Sequence, residues 1–385
     1  MTCIVHISAD YPDAIRAGKT RAIANLVDAT ADCLEHQVYS LNRVNSASAW
    51  LMPGRTEILQ RELGLVSMRY HAPPAGLFLI RAMDAVAAAI AADLAAQGVR
   101  PDLIHGHKLS IEGLAAQSLA QQLGIPFVIT LQGNTDAKVI GARPDLRRRF
   151  GSVWHDAAHV FAFAPWIDRW CQSALGQRST ATTALPCILA SEQILAPSSS
   201  EVCVSTAFNL DFWENKNLQS LVAALAIVRT EFPDLRFKIA GSGKQSSLQK
   251  VSAHITDAGL TDVTSIAGHI PAAKIQAWMN DSAVFALPSR RETFGMVFVE
   301  ALLAGTPIVY PAGAAVDGYF DEAPFAIPTN SSDPASIAEA IAGSLRSNMA
   351  LKARLREWQS GPGPRTFQLS SIADTYRTAI AGLIA

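Results

Sequence analysis

The stretch LPSRRETFGMVFVEALLAGTPIV, residues 287–309, carries most of what the chain discloses about its fold. AVFALPS (283–289) reads as a buried strand that ends at Ser289, and RRETFG as the loop after it. A helix is expected from about Met296, with Gly305 just past its end and Pro307 beyond. The backbone amides of Phe294, Gly295, Met296 and Val297 would then open a helix, where unpaired N–H groups and the positive end of the dipole favour a phosphate. Glu292 precedes that end and Glu300 follows it by about one turn. A carboxylate accepts two hydrogen bonds in fixed geometry, which suits vicinal hydroxyls. The eight-residue spacing alone is uninformative, since 33 acidic residues would supply about three such pairs by chance. The strand–loop–helix context gives it meaning.

The same alternation runs along the chain. CIVHIS (3–8), QVYSL (37–41), DLIHGH (102–107), PFVITLQG (126–133) and HVFAFA (159–164) read as strands between Ala/Leu-rich helices. EVCVSTAF (201–208) and LRFKIAG (235–241) restart the pattern. Continuous apolar strands separated by helices imply βαβ units and parallel sheets covered on both faces. The expected fold is α/β, with two Rossmann-like, doubly wound parallel-sheet domains facing across a cleft. The expected boundaries are a first domain over 1–183, a Pro/Ser-rich linker at 184–201, a second domain over 202–365, and a terminal helix, 366–385, crossing back to the first domain.

Composition narrows the partners. The 385 residues are 49% hydrophobic and 17% charged, with 32 basic against 33 acidic side chains, so the chain is globular and no overall field attracts nucleic acid. Five dispersed cysteines without a CxxC suggest reduced thiols and a cytoplasmic compartment, and no zinc spacing is present. The first residues, MTCIVHISADYP, contain no signal-peptide pattern, and AMDAVAAAIAADLAAQ carries Asp84 and Asp93, which argues against a bilayer span. AGKT (17–20) fails as a phosphate loop because Asp13 stands where glycine is needed, and GSGKQS (241–246) fails as a dinucleotide fingerprint at Ser246.

Residues 287–309 resemble the donor-site motif of the retaining family 4 glycosyltransferases of GT-B fold, matching at Glu292, Phe294, Gly295, Glu300, Ala301, Gly305 and Pro307. The resemblance extends to PDLIHGHKLSIEGLAAQSLAQQLGIPFVITLQG in the first half. LRFKIAGSGKQ, with Gly241, and IAGHIPAAKIQAWMNDS, with Gly268 and His269 in the base-binding turn, carry it in the second. It implies a transferase that moves a sugar from a nucleotide-sugar donor to a saccharide or lipid-linked saccharide acceptor, with no metal and no separate cofactor. Glu292 would then bind sugar hydroxyls, Glu300 the ribose, and Lys216 the diphosphate.

Three positions depart from the pattern. Asn209 stands where a second diphosphate-binding cation is usual, with Arg290 or Arg291 as candidate substitutes. Gln132 replaces the usual first-domain histidine, and glutamine can bond a hydroxyl but is no base. His107 is the nearest histidine to that motif, and of His105 and His107 one is expected to face the core. The glycine loop is Ala17-Gly18, with Gly18 permitting close approach to a ligand. The basic run RPDLRRRFGSVW offers Arg143, Arg147, Arg148 and Arg149 as a peripheral contact with the inner face of the plasma membrane, and a solvated surface is the plainer alternative. A degenerate relative that binds nucleotide-sugar or a partner without turnover is the alternative function.

Overall fold

The computed structural model describes residues 1–198 and 202–384. It divides into two compact units, one of Met1–Ile188 with the terminal stretch from Leu369, the other of Leu189–Gln368.

Eight strands build the sheet of the first unit: β1 (Thr2–Ser8), β2 (Leu34–Val44), β3 (Thr56–Glu62), β4 (Leu65–His71), β5 (Leu103–Gly106), β6 (Phe127–Leu131), β7 (His159–Ala162) and β8 (Thr182–Ala184). Their order is β3-β4-β2-β1-β5-β6-β7-β8, parallel except for the β3–β4 hairpin. Burial explains the apolar runs: Ile4, Leu103, Val128 and Phe161 sit in one cluster with Ile372, Tyr376 and Ile380 of the helix Leu369–Ile384. Tyr376 also bonds the His105 ring through its hydroxyl, at 2.9 Å.

The sheet of the second unit comprises β9 (Cys203–Ala207), β10 (Arg236–Ala240), β11 (Thr264–Gly268), β12 (Val284–Ala286), β13 (Ile308–Pro311) and β14 (Ala326–Thr329). All six are parallel in the order β11-β10-β9-β12-β13-β14, so the winding reverses between β9 and β12. In such sheets ligands bind beyond the carboxyl ends of the strands at that reversal.

The expected linker is split between the units. Leu185 and Ile188 are buried in the first core. Ser191 Oγ donates to Gln276 at 2.7 Å and Leu195 N to the Leu303 carbonyl at 2.8 Å, so this part lies on the second unit. Residues 199–201 fall outside the described residues.

Candidate active site

β9 and β12 each deliver a loop to the reversal point. After β12, Leu287 to Arg291 lead to Gly295, whose backbone is left-handed at φ 75°, and the helix Met296–Leu303 starts there. A Cβ on Gly295 would lie 2.6 Å from the Phe298 ring, so both conformation and space demand glycine. Among the described residues no side chain caps this helix end, so the first-turn amides of Met296 and Val297 stay open to a ligand. Phe294 is buried beneath the turn, edge-on to Tyr319 and near Phe367. At the far end Gly305 (φ 77°) follows the last helical turn as expected, and a Cβ there would strike Pro197 at 2.7 Å.

Glu292 pairs with Lys216 from the β9 loop, and Ser289 Oγ lies 3.5 Å from the same carboxylate. Glu300 is partly buried on the helix. No hydrogen bond or ion pair reaches its carboxylate from the described residues, and burial raises its pKa. An acid kept dry and unpaired costs stability, so the arrangement suits a donor supplied from outside the chain.

Asn217 holds the two loops together, and the sequence reading passed over it. Its backbone is left-handed (φ 57°) and its side chain is buried. Its Nδ2 donates to the Pro288 carbonyl at 3.0 Å and the Ser331 carbonyl at 2.6 Å, while Arg290 Nε donates to its Oδ1 at 3.1 Å. The neighbouring Lys216 is thereby fixed against the β12 loop. Arg290 is held to the residues on either side of Lys216 by this contact and by its N–H to the Asn215 carbonyl at 2.9 Å, whereas the Arg291 carbonyl accepts from Asn215 at 3.3 Å. Asn209, in the position of the missing cation, is exposed and caps the following turn by accepting from Asp211 N at 2.9 Å.

Gly241 follows β10 and Gly268 ends β11, and they are joined by a 2.8 Å bond from Gly241 N to the Gly268 carbonyl. A Cβ on Gly241 would lie 1.8 Å from the Phe208 carbonyl oxygen, so this glycine is required by the crossing of the chain's own loops. His269 is exposed next to Gly268.

In the first unit the candidates separate. Gln132 is buried at the carboxyl end of β6, its N–H 3.4 Å from Asp136, which also accepts from Ser110 N and Oγ at 2.8 and 2.7 Å. Gly18 lies on an exposed loop where a Cβ would meet nothing within 4 Å, so no contact inside the unit requires glycine. His107 is corrected outright. It is fully buried with His6 and His105, and the rings of His105 and His107 are 4.0 Å apart. Side chains alternate along a strand, so residues two apart share a face, and the expectation that only one would turn inward was wrong. Thr30 Oγ1 donates to the Leu26 carbonyl and accepts from His36, and the bonds continue from His36 to His6 (2.8 Å) and from His6 to His107 (2.9 Å). Burial first, and neighbouring imidazoles second, hold His6 and His107 well below the usual histidine pKa. His107 is therefore a neutral core group.

The polar group at the carboxyl ends of β1 and β5 also escaped the sequence reading. Lys108 Nζ lies 2.5 Å from Asp10 and 3.2 Å from Glu112. Burial pushes the Glu112 carboxyl up to about 7 against the pull of Lys108. Lys108 stays protonated because Glu112 and Asp10 outweigh its own burial. The i, i+4 spacing of Lys108 and Glu112 was a usable signal, but the pairing with Asp10 needs the β1–β5 register.

Residues 203–347 match the model of the glycosyl transferases group 1 family, and residues 18–187 that of the glycosyl transferase 4-like domain. The chain belongs to this family of GT-B glycosyltransferases, the family 4 type. D-inositol 3-phosphate glycosyltransferase of Paenarthrobacter aurescens is 28% identical over 229 residues, 54% of this chain and 56% of that one. The 2-deoxystreptamine glucosyltransferase of Streptomyces kanamyceticus is 33% identical over 124 residues, 32% of this chain and 31% of the relative. The match thus spans about half the length of the first of these relatives or less. Over the whole fold, sucrose-phosphate synthase from Thermosynechococcus elongatus superposes with a TM-score of 0.70 at 17% identity, covering 99% of this chain and 100% of that one. HepE from Anabaena, solved with UDP and glucose, gives 0.65 at 16% identity with both chains fully covered.

Proposed function

We propose that the protein transfers a sugar from a nucleotide-sugar to an acceptor hydroxyl with retention of anomeric configuration. The observation that carries this is the Glu300 carboxylate, unpartnered among the described residues, on a helix whose amino end none of them caps, with the Lys216–Glu292 pair on the adjoining loops. In this reading the diphosphate meets the amides of Met296 and Val297 and the Lys216 ammonium, Glu300 accepts from the ribose hydroxyls, and Glu292 orients the sugar. The bond from the anomeric carbon to the diphosphate oxygen breaks with its electron pair going to the diphosphate. The acceptor oxygen bonds that carbon on the same face, and its proton passes to the departing phosphate. Gln132 serves as a hydrogen-bonding group to the sugar. No metal or cofactor is called on, since the Lys216 ammonium supplies the positive charge and the helix amides supply N–H donors. The acceptor is a saccharide or lipid-linked saccharide of a polysaccharide or glycolipid assembly route, and the work is done in the cytoplasm or at the inner face of the plasma membrane. Among the described residues no helix is long and apolar enough to cross a membrane.

Asn209 favours a second reading, in which the protein binds donor without efficient turnover, because its side chain caps a turn and one diphosphate cation is absent. A thermal-shift screen with UDP, GDP, ADP and their glucose or mannose conjugates tests the first reading, because a tight ligand raises the melting temperature by mass action. One nucleoside diphosphate should stabilise the wild type and do so much less in Glu300→Ala. Shifts that are absent, or equal in both proteins, would remove the donor site. Release of nucleoside diphosphate from the matching nucleotide-sugar separates turnover from binding alone.

A further inference from the structure

The first unit carries a cluster of exposed apolar side chains that the donor site does not use. Trp50 and Leu51 end the short helix Ala47–Leu51, and Met52 follows them. Leu77 and Phe78 precede the helix Leu79–Gln97. All five are exposed, Leu51 by 80%. They belong together because β2 and β4 are parallel neighbours, so both connections leave the same edge of the sheet. Gly54 N donates to the His71 carbonyl at 2.9 Å, and a Cβ on Gly54 would lie 3.4 Å from both Ala85 and the Arg81 carbonyl. The segment after Trp50 is thus packed against the first turns of the helix that Phe78 opens.

These side chains are held outward by built structure. Arg43 donates to the carbonyls of Ala72 (3.0 Å) and Pro73 (2.7 Å). Ala75 (φ 57°) and Phe78 (φ 55°) occupy left-handed backbone, which non-glycine residues seldom adopt and which marks over-determined positions. Arg143 bonds the Gly76 carbonyl and its own neighbour Asp145, which joins this loop to the basic run. That settles the four expected arginines differently. Arg143 is a tie within the fold. Arg149 is partly buried, with its Nε enclosed and unpartnered. Arg147 and Arg148 are exposed, one turn beyond Arg143, and no ion pair to either occurs among the described residues. Arg81, three residues past Phe78, is exposed and likewise unpaired.

We propose that this face docks on an anionic lipid bilayer, with Trp50, Leu51, Met52, Leu77 and Phe78 entering the headgroup boundary and Arg81, Arg147 and Arg148 meeting lipid phosphates. Aromatic and aliphatic tips, with unpaired Arg81 three residues past Phe78 and unpaired Arg147 and Arg148 one turn past the tied Arg143, match the interface, where apolar burial and surface potential act together. The surface lies wholly within the first unit, so vesicle binding and donor binding fail independently.

Co-sedimentation with phosphatidylcholine vesicles, with and without phosphatidylglycerol, tests it on the full chain. The wild type should pellet with the anionic vesicles and remain largely in solution with the neutral ones. Leu51→Glu with Phe78→Glu, and separately Arg147→Glu with Arg148→Glu, should each weaken binding by about tenfold or more. Both variants should keep the wild-type response to UDP. A blue shift of tryptophan emission on anionic vesicles should be lost in Trp50→Phe, which keeps the apolar surface intact. Wild type that stays in solution with phosphatidylglycerol present, or apolar and charge variants that pellet as it does, would overturn the proposal. So would a concentration-dependent dimer dissolved by Leu51→Glu with Phe78→Glu, since the patch would then belong to self-association.

Discussion

Replacing Glu300 by glutamine should move two measurements in opposite directions. The carboxylate has both oxygens free of partners within the described chain, and burial raises its pKa above the ordinary 4.5. A folded pKa above the unfolded one means that ionised Glu300 weakens the ligand-free fold at neutral pH. That penalty fades as pH falls through the folded value. Glutamine has nearly the same shape and no charge, so the ligand-free melting temperature should rise at pH 7. Affinity should fall. Two ribose hydroxyls donating to a carboxylate contribute about 1.5–3 kcal/mol each, and an amide offers one neutral acceptor in their place. The net loss is about 2–3 kcal/mol, or about 30- to 150-fold in Kd.

Calorimetric titration with UDP, or with whichever nucleoside diphosphate stabilises the wild type, reads the affinity, and a melt of the ligand-free protein reads the other half. An acid that merely complements the dipole of its helix would give the reverse stability result, since its removal lowers the melting temperature. Affinity within threefold of wild type together with a lowered melting temperature would refute the ribose role. A lowered affinity with an unchanged ligand-free melt would keep the contact but deny that the carboxylate is costly in the empty site.

Lys216→Ala should lower kcat by about 10²- to 10³-fold, the usual effect of removing one stabiliser of developing charge. Glu292→Ala should also reduce turnover while leaving nucleoside diphosphate affinity nearly unchanged, and calorimetry beside steady-state rates separates the two. Asn217→Gly keeps the left-handed backbone and deletes three side-chain bonds, so it should destabilise the second unit by about 2–3 kcal/mol. Asn217→Ala should cost about 1 kcal/mol more, because alanine resists φ 57°. Urea melts with hydrogen exchange over residues 208–217 check both. The buried imidazoles predict acid sensitivity in the first unit: burial lowers His36 to about 4 and His105 to about 3. Their contribution is complete above the unfolded value near 6.5 and is lost as pH falls toward 4 and 3. His36→Gln should flatten the fall in urea midpoint between those limits.

Local signals in the sequence were reliable where local chemistry decides structure. Gly295 and Gly305 bracket the helix Met296–Leu303 because each needs a left-handed backbone, and a Phe-Gly before an apolar run and a Gly-x-Pro after it announce that need. The β3–β4 hairpin was not foreseen: TEILQRE mixes charge and aliphatic residues on an edge strand, where one face is wet and apolar alternation is weak. His105 and His107 showed their shared face by spacing alone, once period two is applied. His6 joins them only through the pairing of β1 with β5, in which His6 lies opposite His105, and no local pattern reports a register.

Asn217 shows the same limit from the functional side. Next to Lys216 it reads as an ordinary polar residue before a helix, and its left-handed backbone is one that asparagine tolerates better than most. What gives it weight is that its partners, Pro288, Arg290 and Ser331, come from two other loops, more than seventy residues away in every case. A lysine on a flexible stem can place its charge almost anywhere; one whose neighbour is bonded on three sides is held at a fixed place beside Glu292. The missing cation at Asn209 then matters less, because Arg290 is held to the same asparagine and stays within the same pair of loops. If Asn217→Gly left turnover intact while lowering stability, that economy would be wrong and the asparagine would be a brace for the loops alone.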